Sequence, residues 1–188
     1  MNQKHEIKFY LKHFRSICHA IATYEDLNML TSHLSEGTCR RFKAKGCSIM
    51  LLDERDNQLH PVSSYGVSEE YLNKGPIFID DKHSVITKGE PVFVEDMQND
   101  PRVQYPKAAA KEGIAAMLSI PIKCRRAIIG VIRIYHNEPR IIHDEDVETL
   151  CVMSENLGLV IENNGLKNFL EGVLTAMDSL PPRMIEDL

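Results

Sequence analysis

The sequence is poor in the features that membrane spans, zinc sites and disulfide frameworks require. No apolar run approaches the length of about 20 residues that crosses a bilayer, and segment 1–8 lacks the apolar core of a signal peptide. The five cysteines never form a Cys-x-x-Cys pair, which indicates neither a structural zinc site nor a disulfide framework. We therefore expect reduced thiols in a cytoplasmic protein that has no membrane partner.

Basic residues are fewer than acidic residues. The chain has 22 Lys and Arg against 27 Asp and Glu, and its net charge is −5. A nucleic-acid-binding domain would show a basic stripe, whereas the short basic clusters here are interleaved with apolar residues. With 188 residues, 43% of them hydrophobic, the chain can form one well-filled domain with some helix left over, and no nucleic-acid partner is expected.

The hydrophobic periodicity changes twice along the chain. Helical spacing over Glu6–Ala22 is followed by a second helix that begins after an N-cap at Thr23 and ends near Gly46. The pattern then becomes that of short strands and helices separated by turns, and a long final helix runs from Asp144 to about Leu180. The predicted strands are Cys47–Leu52, Gln58–Tyr65, Val92–Val94, Ala116–Lys123 and Ala127–Tyr135. This order predicts an α+β sandwich with a predominantly antiparallel sheet.

Five short strings, in this order and at these intervals, resemble the GAF family of small-molecule-sensing domains. They are Ser48–Asp53, Gly89–Val92, Ser119–Ile122, Ile129–Tyr135 and Ile142–Asp146. The resemblance implies a GAF/PAS-like central antiparallel sheet of five or six strands, with the terminal helices on one face and with loops and short helices over a cavity on the other. It divides the chain into an N-terminal helix (1–22), a GAF domain (23–164) and a C-terminal helical extension (165–188).

Strand alternation assigns side chains to the two faces of this sheet. If Ile132 and Ile134 face the helices, Arg133 faces the cavity and interrupts an otherwise apolar strand. A buried guanidinium needs a partner, which is either an anionic group of a ligand or an acid of the roof such as Glu95 or Asp96. The predicted ligand-binding residues are Ser48, Met50, Tyr65, His83, Ile86, Tyr105, Ala109, Met117, Ser119, Arg133 and Tyr135.

The resemblance implies a regulatory, small-molecule-sensing role in bacterial-type signal transduction rather than an enzyme. It predicts no certain cofactor, and a small anionic or nucleotide-like ligand of unknown identity. Family members that bind cyclic nucleotides carry a glutamate at the strand position of Arg133, which weakens that specificity here. An effector would act in trans or in a longer chain.

Three alternatives stay open. One is a dimerisation scaffold without a ligand. Another is an enzyme like the free methionine sulfoxide reductases, which need several thiols in the cavity, whereas Cys47 and Cys124 are predicted on the helix-facing side. The third is a chromophore- or haem-binding domain. The dipeptide Cys18-His19, of the kind that attaches a bilin, precedes the domain, and His83 is the residue placed to ligate a haem.

The last helix carries two apolar stripes. Leu150, Met153, Leu157, Val160 and Ile161 suit packing on the sheet. A second stripe has the a/d spacing of a coiled coil, with Asn156 and Asn163 at one heptad position. It predicts a parallel homodimer, although the same stripe could instead pack on the leading helix of its own subunit. The predicted interface residues are Ile7, Leu11, Phe14, Leu159, Asn163, Leu166, Leu170, Val173 and Met177.

Overall fold

A computed structural model of the chain describes His19 and residues 26–79, 85–139 and 142–178. The predicted N-terminal helix, with Ile7, Leu11 and Phe14, therefore lies outside the described residues, as does His83. Within the described residues, no helix combines the length and the apolar character needed to cross a membrane.

The centre of the fold is a six-stranded antiparallel sheet. Its strands are β1 (Gly46–Asp53), β2 (Gln58–Tyr65), β3 (Ile77–Phe78), β4 (Val92–Val94), β5 (Ala116–Cys124) and β6 (Ala127–His136). They lie in the order β3-β2-β1-β6-β5-β4, so the last long strand pairs with the first at the middle of the sheet. The predicted fold class is confirmed.

Two long helices cover one face, and three short ones lie among the loops of the other. The long helices are α1 (Leu27–Arg41) and α5 (Asp144–Asp178), and the short ones are α2 (Glu69–Leu72), α3 (Val85–Lys88) and α4 (Pro106–Glu112). The N-cap predicted at Thr23 is wrong: α1 is capped by Asp26, whose carboxylate accepts hydrogen bonds from the backbone N–H groups of Asn28 and Met29.

The main hydrophobic core lies between the sheet and the two long helices. Ile120, Ile132 and Ile134 contribute from the strands, and each is at most 1% exposed. Leu150, Met153 and Leu157 of α5 are buried against them, with Val160 and Ile161 at the margin, as the first apolar stripe predicts. Each fully buried aliphatic side chain contributes about 1.5–3 kcal/mol, so this layer holds the helices on the sheet.

Helix α5 also contacts the backbone of β5 directly. The hydroxyl of Ser154 donates to the carbonyl oxygen of Pro121 at 2.6 Å. One turn later, a Cβ atom placed on Gly158 would lie 2.1 Å from the carbonyl oxygen of Lys123. After another turn, the Glu162 carboxylate accepts a hydrogen bond from the Cys124 thiol at 3.1 Å. Residues 154, 158 and 162 share one helix face, and at Ser154 and Gly158 that face lies close to the backbone of the strand.

Candidate functional site

A cavity of about 80 Å³ lies on the sheet face opposite the long helices. Its floor is formed by Met117, Ser119 and Arg133 of the central strands, and its roof by the segments around α2, α3 and α4. The other lining residues are Leu59, Tyr71, Lys74, Ile77, Phe78, Ile79, Val85, Ile86, Val92, Val94, Met97, Arg102, Val103, Gln104 and Tyr105. The wall is therefore mainly apolar with a few polar groups, as in most small-molecule sites.

Arg133 is the polar centre of the floor. In β6 it lies between Ser48 of β1 and Ser119 of β5, which pair with it on either side. Its Nε atom is buried and has no hydrogen-bond partner, and the ion pairs found among the described residues do not include it. An unpaired buried donor of a charged group costs free energy, and a hydrogen-bond acceptor placed at Nε would remove that cost.

The roof acids Glu95 and Asp96 do not pair with Arg133. The side chain of Glu95 is exposed to solvent. Asp96 instead stabilises its own turn, since its carboxylate accepts hydrogen bonds from the backbone of Gln98 and from the backbone and side chain of Asn99. The alternative in which Glu95 or Asp96 neutralises Arg133 is therefore wrong.

Two tyrosines form a buried layer beside Arg133. Tyr135 is 1% exposed, and its hydroxyl shares a 2.9 Å hydrogen bond with Ser48. The ring of Tyr71 meets that of Tyr135 edge to face, with 5.6 Å between the centroids. Burial raises the pKa of both hydroxyls, so both stay neutral and add no negative charge near the guanidinium.

Lys74 is a second cation of the cavity wall. Its Nζ donates to the carbonyl oxygen of Tyr71 at 2.9 Å and lies 3.9 Å from the centroid of the Tyr71 ring. Burial, with a smaller contribution from Arg133, lowers the pKa of Lys74 to about 8, and Glu112 opposes the decrease. Sequence analysis missed Lys74 and Tyr71. Both lie in or beside a short helix, where strand alternation does not tell which side chains point into the cavity.

Glu112 ties the roof to the sheet. Its carboxylate accepts hydrogen bonds from the backbone N–H and the hydroxyl of Ser68, the N-cap of α2, and from Lys45 just before β1. Burial alone would raise the pKa of Glu112, but these hydrogen bonds outweigh it and lower the pKa. Nearby, the Tyr105 hydroxyl donates to the carbonyl oxygen of Pro76 at 2.7 Å. Helices α2 and α4 are thus held over the cavity by specific polar contacts.

The structure brings most of the predicted ligand-binding residues together. Ile86, Tyr105, Met117, Ser119 and Arg133 line the cavity. A second group, Ser48, Met50, Ala109 and Tyr135, is buried in the layer around it.

Tyr65 does not belong to this group. It pairs across the sheet with Cys47, which is in the helix-facing core, and its hydroxyl accepts a hydrogen bond from Arg40 of α1 at 3.3 Å. The structure therefore places Tyr65 on the helical face, away from the cavity.

The described cysteines lie away from the cavity lining. Cys47 is fully buried in the helix-facing core, and burial raises the pKa of its thiol. Cys124 bonds to Glu162 of α5 on the same face. Both positions agree with the side predicted by strand alternation.

Metal-binding groups cluster at one place in the described part of the chain, the β1–β2 hairpin. Asp53, Asp56 and His60 lie close together there, and all three are exposed. The two carboxylates accept hydrogen bonds from the backbone N–H groups of Arg55 and Gln58, so they stabilise the turn itself.

Solved structures with the same fold include GAF domains of larger proteins and an enzyme. The GAF domain of an Acinetobacter phosphoenolpyruvate-protein phosphotransferase is 20% identical, with a TM-score of 0.72 over 85% of this chain and 97% of that one. The corresponding domain from Coxiella burnetii is 18% identical, with a TM-score of 0.74 over 85% and 96%. Free methionine-R-sulfoxide reductase from Neisseria meningitidis, in complex with its substrate, is 16% identical, with a TM-score of 0.68 over 84% and 91%.

Sequence comparison identifies the family. Comparison with curated proteins gives no match, but the profile of the GAF domain matches residues 26–161. GAF domains are commonly regulatory sensors in signalling proteins. The matched segment spans the six strands, helices α1 to α4 and the first half of α5, and the chain therefore belongs to the GAF domain family.

Proposed function

We propose that this GAF domain is a regulatory sensor that binds a small organic acid in the cavity above Arg133. The observation that carries the proposal is the buried, unpartnered Nε of Arg133 at the floor of that cavity. Among the described residues, the lining contains no carboxylate. An acidic ligand would supply both the missing hydrogen-bond acceptor and the missing negative charge.

The rest of the cavity supports a ligand with a short apolar body. Floor and roof are mainly aliphatic, and Ser119 beside Arg133 offers a hydroxyl. A cavity needs about 10–15 Å³ to hold one water molecule, so a volume of about 80 Å³ leaves room for a small organic molecule. The position of the thiols on the opposite face favours binding over a thiol-based reaction.

Arg133→Met should weaken binding of a small acid such as butyrate by about tenfold or more, because a charge-assisted hydrogen bond contributes about 1.5–3 kcal/mol. Titration calorimetry with butyrate and with its neutral analogue butyramide measures this. We expect the wild-type protein to bind the acid more tightly than the amide, and the variant to have lost that preference.

Arg126→Met is the matched control, because Arg126 is exposed in the turn between β5 and β6. It removes the same charge and leaves the cavity intact, so butyrate binding should not change. Equal binding of acid and amide by the wild-type protein would refute the role of Arg133, and the absence of binding by either probe would refute the proposed function.

The contact between α5 and β5 gives the cavity a physical route to the helices. Ser119 of the cavity floor belongs to the same strand as Pro121 and Lys123, whose carbonyl groups touch α5. We propose that a ligand held by Arg133 displaces this strand and so shifts α5. An element with two arrangements, biased by the ligand, is what a regulatory module requires.

A second function, dimerisation, is favoured by the exposed apolar surface of α5. The helix runs to Asp178, and Leu166, Leu170 and Val173 of the predicted a/d stripe are 54%, 60% and 39% exposed. Phe169 and Leu174, at 67% and 61% exposed, widen the same surface. Leu159 and Asn163, nearer the N-terminus of α5, extend these residues into a continuous face. We propose that a second copy of the chain covers this face as a parallel coiled coil.

Leu170→Glu should weaken such a dimer by about tenfold or more, since it places a carboxylate in the seam in both copies. Sedimentation equilibrium of the full chain measures the change. Thr175→Glu is the control, since Thr175 is exposed at the heptad position opposite the seam. A wild-type protein that sediments as a monomer, or a dimer that both variants leave intact, would contradict this proposal.

A further inference from the structure

We propose that the ligand carries two acidic groups, one bound by Arg133 and the other by Lys74. This inference rests on the proposed function and narrows its ligand from any small acid to a short molecule that is anionic at both ends.

The ammonium of Lys74 is held in place for such a ligand. Lys74 follows the C-cap of α2, and its half-buried side chain lines the cavity. Its Nζ is fixed by the carbonyl oxygen of Tyr71 at 2.9 Å and by the Tyr71 ring. An ammonium has three N–H donors, and the hydrogen bond recorded among the described residues uses one of them. With the Tyr71 ring beside the ammonium, a further donor is available to a carboxylate in the cavity.

The two cations face one cavity and are not neutralised by its lining. Burial is the larger cause of the lowered pKa of Lys74, about 8, and the positive charge of Arg133 adds to it, so the two cations repel each other. The acid that acts on Lys74 from α4, Glu112, is already bound by Ser68 and Lys45. In the free protein this repulsion is unfavourable, and a second acidic group would relieve it.

The third cation of the lining does not compete for the ligand. Arg102 binds both carboxylate oxygens of Asp100 and donates to the carbonyl oxygen of Phe93 at 3.2 Å. Its charge is therefore compensated locally. The uncompensated positive charge of the described lining comes from Arg133 and Lys74. A ligand that neutralises both therefore carries two acidic groups.

Succinate and butyrate test this inference, because they share a four-carbon chain and differ in one carboxylate. We expect the wild-type protein to bind succinate about tenfold more tightly than butyrate at neutral pH, where one more charge-assisted hydrogen bond is formed. Lys74→Met should abolish this difference by weakening succinate binding, while butyrate binding changes little. Titration calorimetry measures all four affinities, and phosphoglycolate tells whether a phosphate suits one of the two positions better.

Lys107→Met is the control, since Lys107 is an exposed lysine of α4, and it should preserve the preference for succinate. Melting temperatures verify that each variant is folded, and Lys74→Gln provides a second, polar replacement. If butyrate binds through Arg133 but succinate binds no more tightly, the inference fails while the proposed function stands. If Lys74→Met and Lys74→Gln weaken both acids equally, Lys74 supports the wall and does not contact a second acidic group, which also overturns the inference.

Discussion

Gly158→Ala is expected to lower the free energy of unfolding by about 3 kcal/mol, the upper part of the usual range for overpacking a buried contact. The added Cβ would lie 2.1 Å from the carbonyl oxygen of Lys123 and 2.9 Å from its carbonyl carbon. Both atoms belong to the backbone of a central strand, which cannot rotate away as a side chain would. Helix α5 would have to separate from the sheet, and contacts of Leu157 and Met153 in the core would be lost. Urea unfolding followed by circular dichroism measures the change.

The same helix offers two matched controls. A Cβ added at Gly165 or Gly172 would meet nothing within 4 Å, so replacement of either by alanine should raise helix stability by up to about 1 kcal/mol. The sign of the effect therefore distinguishes close packing from helix propensity. A Gly158→Ala protein as stable as the Gly165→Ala protein would show that α5 does not rest on the backbone of β5.

Lys74→Met is expected to raise the free energy of unfolding by about 2 kcal/mol at pH 7. The pKa of Lys74 falls from 10.5 to about 8 in the folded chain. Each unit by which a pKa falls corresponds to about 1.4 kcal/mol, and solvent screening of the half-buried ammonium reduces the total to about 2 kcal/mol. The folded protein is destabilised because the Lys74 ammonium is partly buried and is repelled by Arg133. Methionine retains the apolar stem and removes the charge.

The pH dependence of stability is a second test of whether the charge of Lys74 destabilises the folded protein. Below about pH 8, Lys74 is protonated in both the folded and unfolded chains, so the cost is fully present. Between about pH 8 and 10.5 the unfolded chain binds more protons, and the wild-type protein gains stability as the pH rises. The advantage of Lys74→Met should therefore be largest at neutral pH and shrink toward pH 10.5.

Thermal unfolding of the two proteins across this pH range measures the difference. Lys107→Met, which removes an exposed charge, should stay within about 0.5 kcal/mol of the wild-type protein throughout. If Lys74→Met were less stable than the wild-type protein at pH 7, the contact with Tyr71 would outweigh the electrostatic cost, and Lys74 would be a structural residue.

The floor of the cavity could be predicted from the sequence because it is built from regular strands. In β5 and β6, alternation placed Met117, Ser119 and Arg133 on the cavity side and Ile132 and Ile134 on the helix side, and the structure confirms each. A polar residue in an apolar strand is a strong signal, since burial of its charge requires a partner.

Tyr65 shows where alternation fails. The pairing of β1 with β2 shifts between Ile49 and Met50, which leaves Val62 as an extra residue in β2. A bulge of this kind reverses the facing of every residue beyond it. Leu59 therefore lines the cavity, whereas Tyr65 lies over α1. Pro61, next to Val62, is a residue type that indicates such a bulge, because proline has no backbone N–H for the ladder and is found inside sheets mainly at edges and bulges.

The roof was harder to predict for a different reason. The missed residues Tyr71 and Lys74 lie in and beside a short helix, where the direction of a side chain depends on long-range contacts such as Glu112 with Ser68 and Lys45. Those contacts join residues more than 40 positions apart. Without them, the sequence identifies Ile86 and Tyr105 of the roof but does not show that Tyr71 and Lys74 also line the cavity.

The backbone contact at Gly158 gives α5 the mechanics of a lever. Since the carbonyl group of Lys123 would touch a Cβ there, no flexible side chain absorbs a displacement of the strand. From Gly158 to Asp178, the helix end, the 1.5 Å rise per residue gives an arm of about 30 Å. A tilt of about 2° at the fulcrum would therefore move the far end by about 1 Å. A sub-ångström adjustment beside the cavity would in this way arrive enlarged at the opposite end of the molecule.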